Sequence, residues 1–358
     1  MSNRSEVLTS SVTTSQNSEG IYHKLQKRRY KLIALSFAVL VVVMLLDIST
    51  GASWIGLYDV LEALFGGPNG EALSTTIVWY LRLPVTLTCL VVGASLGLAG
   101  GLMQTLLANP LASPYTLGIS AAAGFGAAMA LLTGFSVLGL TWLGVPIAAF
   151  TTSALASMAI YFIGRSQNME AKILILAGIV VLFFFQALQS LVQYLASPEV
   201  LQQIVFWLFG SLLKASWLSF VVSGTILLIG LSYTLPKVWS LTALSLGEER
   251  AQSLGINTQK LRLEMFLLCS LLTAGAVSFV GTIGFVGLVA PHFSRLLVGE
   301  DQRFYLPLSA LMGAVLLCVS SLVGKLIVPG TIIPIGIITS LVGVPFLLYL
   351  LLKRRGGL

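Results

Sequence analysis

Apolar residues fall along this chain in long blocks, not in the alternation of a half-buried strand. Leu32 to Leu46 and Phe266 to Val280 hold no charged residue and are apolar on every face, the pattern of helices surrounded by lipid or by other helices. Dividing the chain where polar and turn-forming residues interrupt the blocks predicts spans over 32–49, 79–107, 115–133, 142–163, 172–195, 216–235, 260–281, 285–298, 304–326 and 334–352. The block 285–298 is short for a full crossing and reads as a broken or partly buried helix, tolerable where protein surrounds it. Membrane-spanning strands alternate over about ten residues, and no such segments stand out here. The fold class is all-α: a polytopic integral membrane protein with about ten transmembrane helices.

Composition excludes the soluble alternative. Of the 358 residues 56% are hydrophobic and 9% charged, against roughly 25% charged in soluble domains. The 35 glycines and 12 prolines suit a bundle in which helices approach closely and backbone breaks are sheltered by neighbours.

Charge sets the expected topology. Residues 1–31 read as a cytoplasmic basic tail, its first twenty residues polar and disordered. Leu32 to Leu46 is followed by Asp47, Trp54 and Tyr58, with no cleavage site of small residues, so the first span is retained. Even-numbered crossings return the basic segment 353–358 to the cytoplasm, leaving 32–352 as the membrane domain. Sixteen of the twenty Lys and Arg then lie inside: Lys24, Lys27, Arg28, Arg29, Lys31; Arg165, Lys172; Lys237, Arg250, Lys260, Arg262; Arg295, Arg303; and Lys353 to Arg355. The net charge of +7 is therefore topogenic, and its dispersal among loops excludes a nucleic-acid stripe. The expected location is a cytoplasmic membrane, with both termini on the cytoplasmic side.

Functional classes narrow next. The thirteen acidic residues map to the tail, loops or span ends, with Asp47 and Glu264 within a turn of a boundary, which disfavours an ion-coupled secondary transporter. No phosphate loop and no H-E-x-x-H motif occur, so the chain is not read as an enzyme, and any ATP must be hydrolysed by a separate subunit. Cys89, Cys269 and Cys318 lie in apolar runs and read as buried small residues, and neither they nor His23 and His292 stand at metal-ligand spacing. The largest polar segment between spans is Leu244 to Gly255, a short helix of mixed face ended by Gly255.

That segment, L-S-L-G-E-E-R-A-Q-S-L-G, resembles the coupling helix of permease subunits in FecCD-type ABC importers for iron-siderophores, haem and cobalamin. Other motifs follow in the family's order: Arg82-Leu83-Pro84; Gln104 to Pro114 with Leu117 to Ser120; Trp207 to Ser211; Gly284 to His292; Arg295 to Arg303; and Pro334 to Ile337. Together they extend over residues 32–352.

The resemblance implies a type II importer: two permease subunits, identical or paralogous, two ATPase subunits that carry the ATP and Mg, and an extracytoplasmic substrate-binding protein, all in membrane lipid. No cofactor is expected in this chain. It assigns ATPase coupling to Leu246, Gly247, Glu248, Arg250, Leu254 and Gly255, with Arg295 and Arg303 at the border. Binding-protein docking falls to Arg82 and Lys325, and a cytoplasmic gate to Asn109, Leu111, Ala171 and Lys172. Gly284 to Pro291 is expected as a broken helix near the pathway. From spacing, Gln186, Gln189 and Gln193 share a face of the fifth span; they suit either a hydrated chelate in the pathway or hydrogen bonds between helices. Iron(III)-siderophore is the first choice of cargo, with cobalamin, haem and molybdate behind it. Ser321 and Ile332 depart from the family, which often carries acids there; the expectation is a less neutralised Lys325.

Overall fold

The computed structural model describes the backbone of residues 2–70, 72–327 and 333–354, and side chains from His23 onward within those limits except at 349–351, 353 and 354. Ile332 and residues 355–358 lie outside the described residues. The helices, in order, are α1 Ser2–Ser49, α2 Leu57–Gly66, α3 Leu73–Ile77, α4 Leu83–Leu106, α5 Ile119–Thr133, α6 Thr141–Ser166, α7 Ala171–Leu195, α8 Pro198–Leu208, α9 Trp217–Thr234, α10 Val238–Ser245, α11 Glu248–Ser253, α12 Thr258–Val280, α13 Val286–Val298, α14 Gln302–Ile327 and α15 Ile335–Arg354. A π-helical turn, Val78–Arg82, joins α3 to α4, and a 3₁₀ turn, Leu235–Lys237, joins α9 to α10.

Among the described residues seven helices are long and apolar enough to cross a membrane, and three shorter apolar helices, Ile119–Thr133, Val286–Val298 and Ile335–Leu348, accompany them. Each lies in one of the ten apolar blocks, with shifted ends, and seven reach the length of a crossing. The helix α13 has 13 residues, or roughly 20 Å against a hydrocarbon core of about 30 Å, and packs among protein neighbours. The helix α1 runs without a break past residue 31 and through the polar tail, which holds no proline and no glycine before Gly20. The short helices α2, α3, α8 and α10 lie outside the expected spans; Ser197 caps α8 by accepting from Val200 N, as a Ser before a helix-start Pro commonly does.

The core lies along α4. Of its most apolar stretch 83% is buried, against 22% for α7, so α4 is the axis and α7 an outer helix. Small residues let α14 and α13 close on it. A Cβ placed on Gly97 would sit 2.1 Å from the Ser309 carbonyl oxygen, and one on Gly100 would sit 1.8 Å from that of Gly287. Neither position admits alanine without separating the helices.

Candidate functional site

Three features of the bundle carry chemistry, one at each end and one between them. At the end where α4 finishes, α11 lies at the edge of the bundle, with Ala251 buried in the core. Gly247 at φ 119° and Gly255 at φ 77° bracket it, conformations that favour glycine, and Gly255 closes the helix as expected. Leu246 and Leu254 are 57% and 71% exposed, and Arg250 is exposed as well.

Glu248 does something different. Both its oxygens receive the Arg262 guanidinium, at 3.1 and 2.9 Å, and Oε1 also accepts from the Thr258 hydroxyl at 3.0 Å. Burial opposes the charge on Glu248, but the hydrogen bonds and charge of Arg262, with the Thr258 bond, outweigh it and hold the carboxyl below the usual carboxylate range. Arg262 is itself buried and donates Nε to the Leu106 carbonyl, the last residue of α4. One side chain thus joins α11, α12 and the end of α4. Sequence reasoning counted Arg262 only as a topogenic charge; Glu248 and Arg262 are separated by a turn, and no helical spacing relates them.

The loop after α4 starts with Ala108 at φ 46°. Asn109 Oδ1 accepts from Leu111 N at 2.9 Å, the local turn that Asn before Pro favours, and leaves Leu111 54% exposed. Ala171 and Lys172 open α7, with Lys172 exposed. The bordering arginines are each paired with a neighbouring acid. Arg303 pairs with Asp301 at 2.6 Å and lies 4.2 Å over the Trp239 ring, and Arg295 lies 3.4 Å from Glu300.

At the opposite end, Arg82 is 9% exposed and donates to the carbonyls of Ile48, Ser49 and Ser53. It caps the last carbonyls of α1, where a cation is favoured. Lys325 Nζ lies 2.8 Å from Asp47 Oδ1, and Asp47, fully buried, also accepts from the hydroxyls of Thr86 and Ser321. The expected shortage of negative charge beside Lys325 is corrected here: α1 supplies the carboxylate, and Ser321 binds it. Asp47 stands two residues from the end of α1, yet no solvent reaches it. Arg82, Lys325, Ser320 and Ser321 border a cavity of about 460 Å³.

Between the ends, three backbone breaks meet. Ser211 N donates to Val280 O, Ile335 N to Gly210 O, Gly336 N to Phe209 O, and the Thr282 hydroxyl to Leu208 O. Phe285, at φ 65°, begins α13 after the break, as expected for Gly284 to Pro291. The breaks border a second cavity of about 580 Å³ lined by Tyr115, Phe209, Thr282, Phe285 and Ser340 among others. Phe209 and Phe285 fall within motifs quoted from the sequence; Tyr115, Thr282 and Ser340 were not singled out there. Of the glutamines on α7, Gln186 is exposed and Gln189 and Gln193 half-buried. The Gln189 amide lies against Gly124 of α5, where a Cβ would fall 2.5 Å from its Oε1. The structure does not bring the three glutamines to the lining of that cavity.

Residues 39–353 match the FecCD transport family. The chain is 33% identical to the Fe(3+)-citrate import system permease protein YfmD of Bacillus subtilis, over 94% of this chain and 99% of that one. It is 35% identical to the hemin transport system permease protein HmuU of Yersinia pestis, over 78% and 84% respectively. A solved inward-facing structure of a metal-chelate type ABC transporter matches with a TM-score of 0.80 and 31% identity, covering 90% of this chain and 99% of that chain.

Proposed function

From the premise that this chain belongs to the FecCD transport family, we propose that it is the permease subunit of an ATP-driven importer that passes a metal chelate across the cytoplasmic membrane, an iron(III)-siderophore before cobalamin, haem or molybdate. The observation that carries the reading is α11: a short polar helix at the edge of the bundle, flanked by two exposed leucines and bolted through Glu248 and Arg262 to the end of the central helix. In this reading Leu246, Leu254 and Arg250 meet a separate ATPase that holds ATP and Mg, and Gly247 and Gly255 give α11 its angle.

Movement of α11 is passed by Arg262 to Leu106, three residues before the Asn109–Pro110–Leu111 loop, which serves with Ala171 and Lys172 as the gate on that side. The cavity at the three breaks belongs to the pathway, completed by a second permease subunit. An extracytoplasmic binding protein delivers the cargo to the opposite end. Arg82 and Lys325 act there by holding the end of α1 in the shape that the binding protein meets, since their donors are directed at α1. The glutamine face of α7 is assigned to packing against α5 at Gln189.

The test is purification of the tagged chain from its native membrane under gentle detergent, followed by mass spectrometry of what accompanies it and by uptake in proteoliposomes. Co-purification of an ATPase and uptake of ferric siderophore that requires ATP support the reading. A chain that emerges alone and transports without ATP returns the ion-coupled alternative.

A further inference from the structure

The amino-terminal half of α1 carries its charges in two directions. Arg29 turns toward the bundle, 3.2 Å from Asp301 and over the Phe304 ring. Lys24, Lys27, Arg28 and Lys31 are all exposed, and their spacing of three, four and seven places them on one face of the helix.

That face does not end with the charges. Continuing it by helical turns leads to Leu35, Ala38, Val39 and Val42, every one of them exposed; Leu35 and Val42 are 60% and 55% accessible. The opposite side of the same helix holds Ser36, Leu40 and Asp47, buried at 7%, 3% and 0%. A single stripe therefore runs from four cations into an uncharged apolar surface of the kind that meets acyl chains.

We propose that this stripe is a binding site for anionic phospholipid in the leaflet at the α11 end of the bundle. The phosphate headgroup is held by Lys24, Lys27, Arg28 and Lys31, and the acyl chains lie along Leu35, Val39 and Val42. Long basic side chains placed just beyond an apolar span reach the headgroup layer while their stems stay on apolar surface. A protein partner at that end is the less favoured occupant, because the charges are continuous with the lipid-facing side of α1, and Arg29, on the other side, is already committed to Asp301. The proposal is independent of the cargo and of the importer reading.

The experiment is native mass spectrometry of the full-length chain released from micelles doped with equal amounts of phosphatidylglycerol and phosphatidylcholine of identical acyl chains. Phosphatidylglycerol should be retained about tenfold over phosphatidylcholine, and that preference should fall steeply between about 0.05 M and about 0.5 M salt. The double variant Lys27→Gln/Arg28→Gln keeps Lys24, Arg29 and Lys31 before the first span and should lose at least about fivefold of the preference. Arg29→Gln, on the opposite face, should leave it unchanged. No preference in the unaltered chain, or one that survives in the double variant, overturns the site. So does a double variant that keeps its lipid preference but sheds an accompanying protein, which would make the stripe a protein-docking surface. The salt series on the unaltered chain decides the matter even if a variant fails to insert.

Discussion

Lys325 Nζ lies 2.8 Å from Asp47 Oδ1 and 2.9 Å from the carbonyl oxygen of the same residue, so that one ammonium binds both the side chain and the backbone at the end of α1. The carboxylate has no exposure, and Lys325 little. Removing one partner leaves a buried charge without its counter-ion, which costs far more than the pair contributes.

Asp47→Asn should therefore lower stability by about 3 kcal/mol, read as a drop in the unfolding midpoint of the detergent-solubilised protein. The paired change Asp47→Leu/Lys325→Met should recover most of it, because neither charge is then left alone. Equal losses in the single and paired variants would show that α1 is held by something other than this pair.

Arg82→Lys tests the clamp on the end of α1. The charge is kept, but a lysine cannot direct its donors at the carbonyls of Ile48, Ser49 and Ser53 in the fixed geometry of a guanidinium. The expected loss is about 1.5 kcal/mol in the same thermal assay. Stimulation of ATPase by a binding protein should weaken with it, while basal hydrolysis holds. Unchanged stability would remove the clamp from the account.

Leu246→Asp/Leu254→Asp places two charges on residues that contact water in the isolated chain. Folding should be untouched, with a melting midpoint within error of the parent, while an ATPase that accompanies the parent should be lost on purification. An intact complex would mean that α11 is not the seat of that subunit.

Glu248 introduces a pH dependence. Its carboxyl is held below the ordinary value by Arg262 and Thr258 against the opposing effect of burial. A lowered folded-state value means that the ionised form is favoured by folding. The contribution is fully present above the unfolded value of about 4.3 and is lost as pH falls through the lower folded value. Acid titration of thermal stability should show this loss in the parent and not in Glu248→Gln. In Arg262→Gln the loss should also vanish, with about 2 kcal/mol removed at neutral pH.

How much of this was legible in the chain depends on whether a property is local. The apolar blocks marked the helices because burial in lipid or among helices needs only a continuous run. Gly255 and Asn109–Pro110 announced their turns because the backbone conformation is written in the residue itself. Asp47 was placed correctly near a span end, and its full burial went unseen, because what surrounds it comes from α4 and α14. Arg262 and Arg82 were read as topology and as a docking charge, since a guanidinium aimed at distant carbonyls leaves no spacing to detect. The helices α2 and α8 escaped because their blocks are too short to be distinguished from loops by hydropathy.

The three backbone breaks donate to one another: Ser211 to Val280, Ile335 to Gly210, Gly336 to Phe209. Segments that satisfy each other's amides cannot separate singly without leaving a backbone donor unpaired. They form, in effect, a keystone. A change of access at the neighbouring cavity must carry this keystone as one body, and the bending must be taken up at the helix ends that surround it.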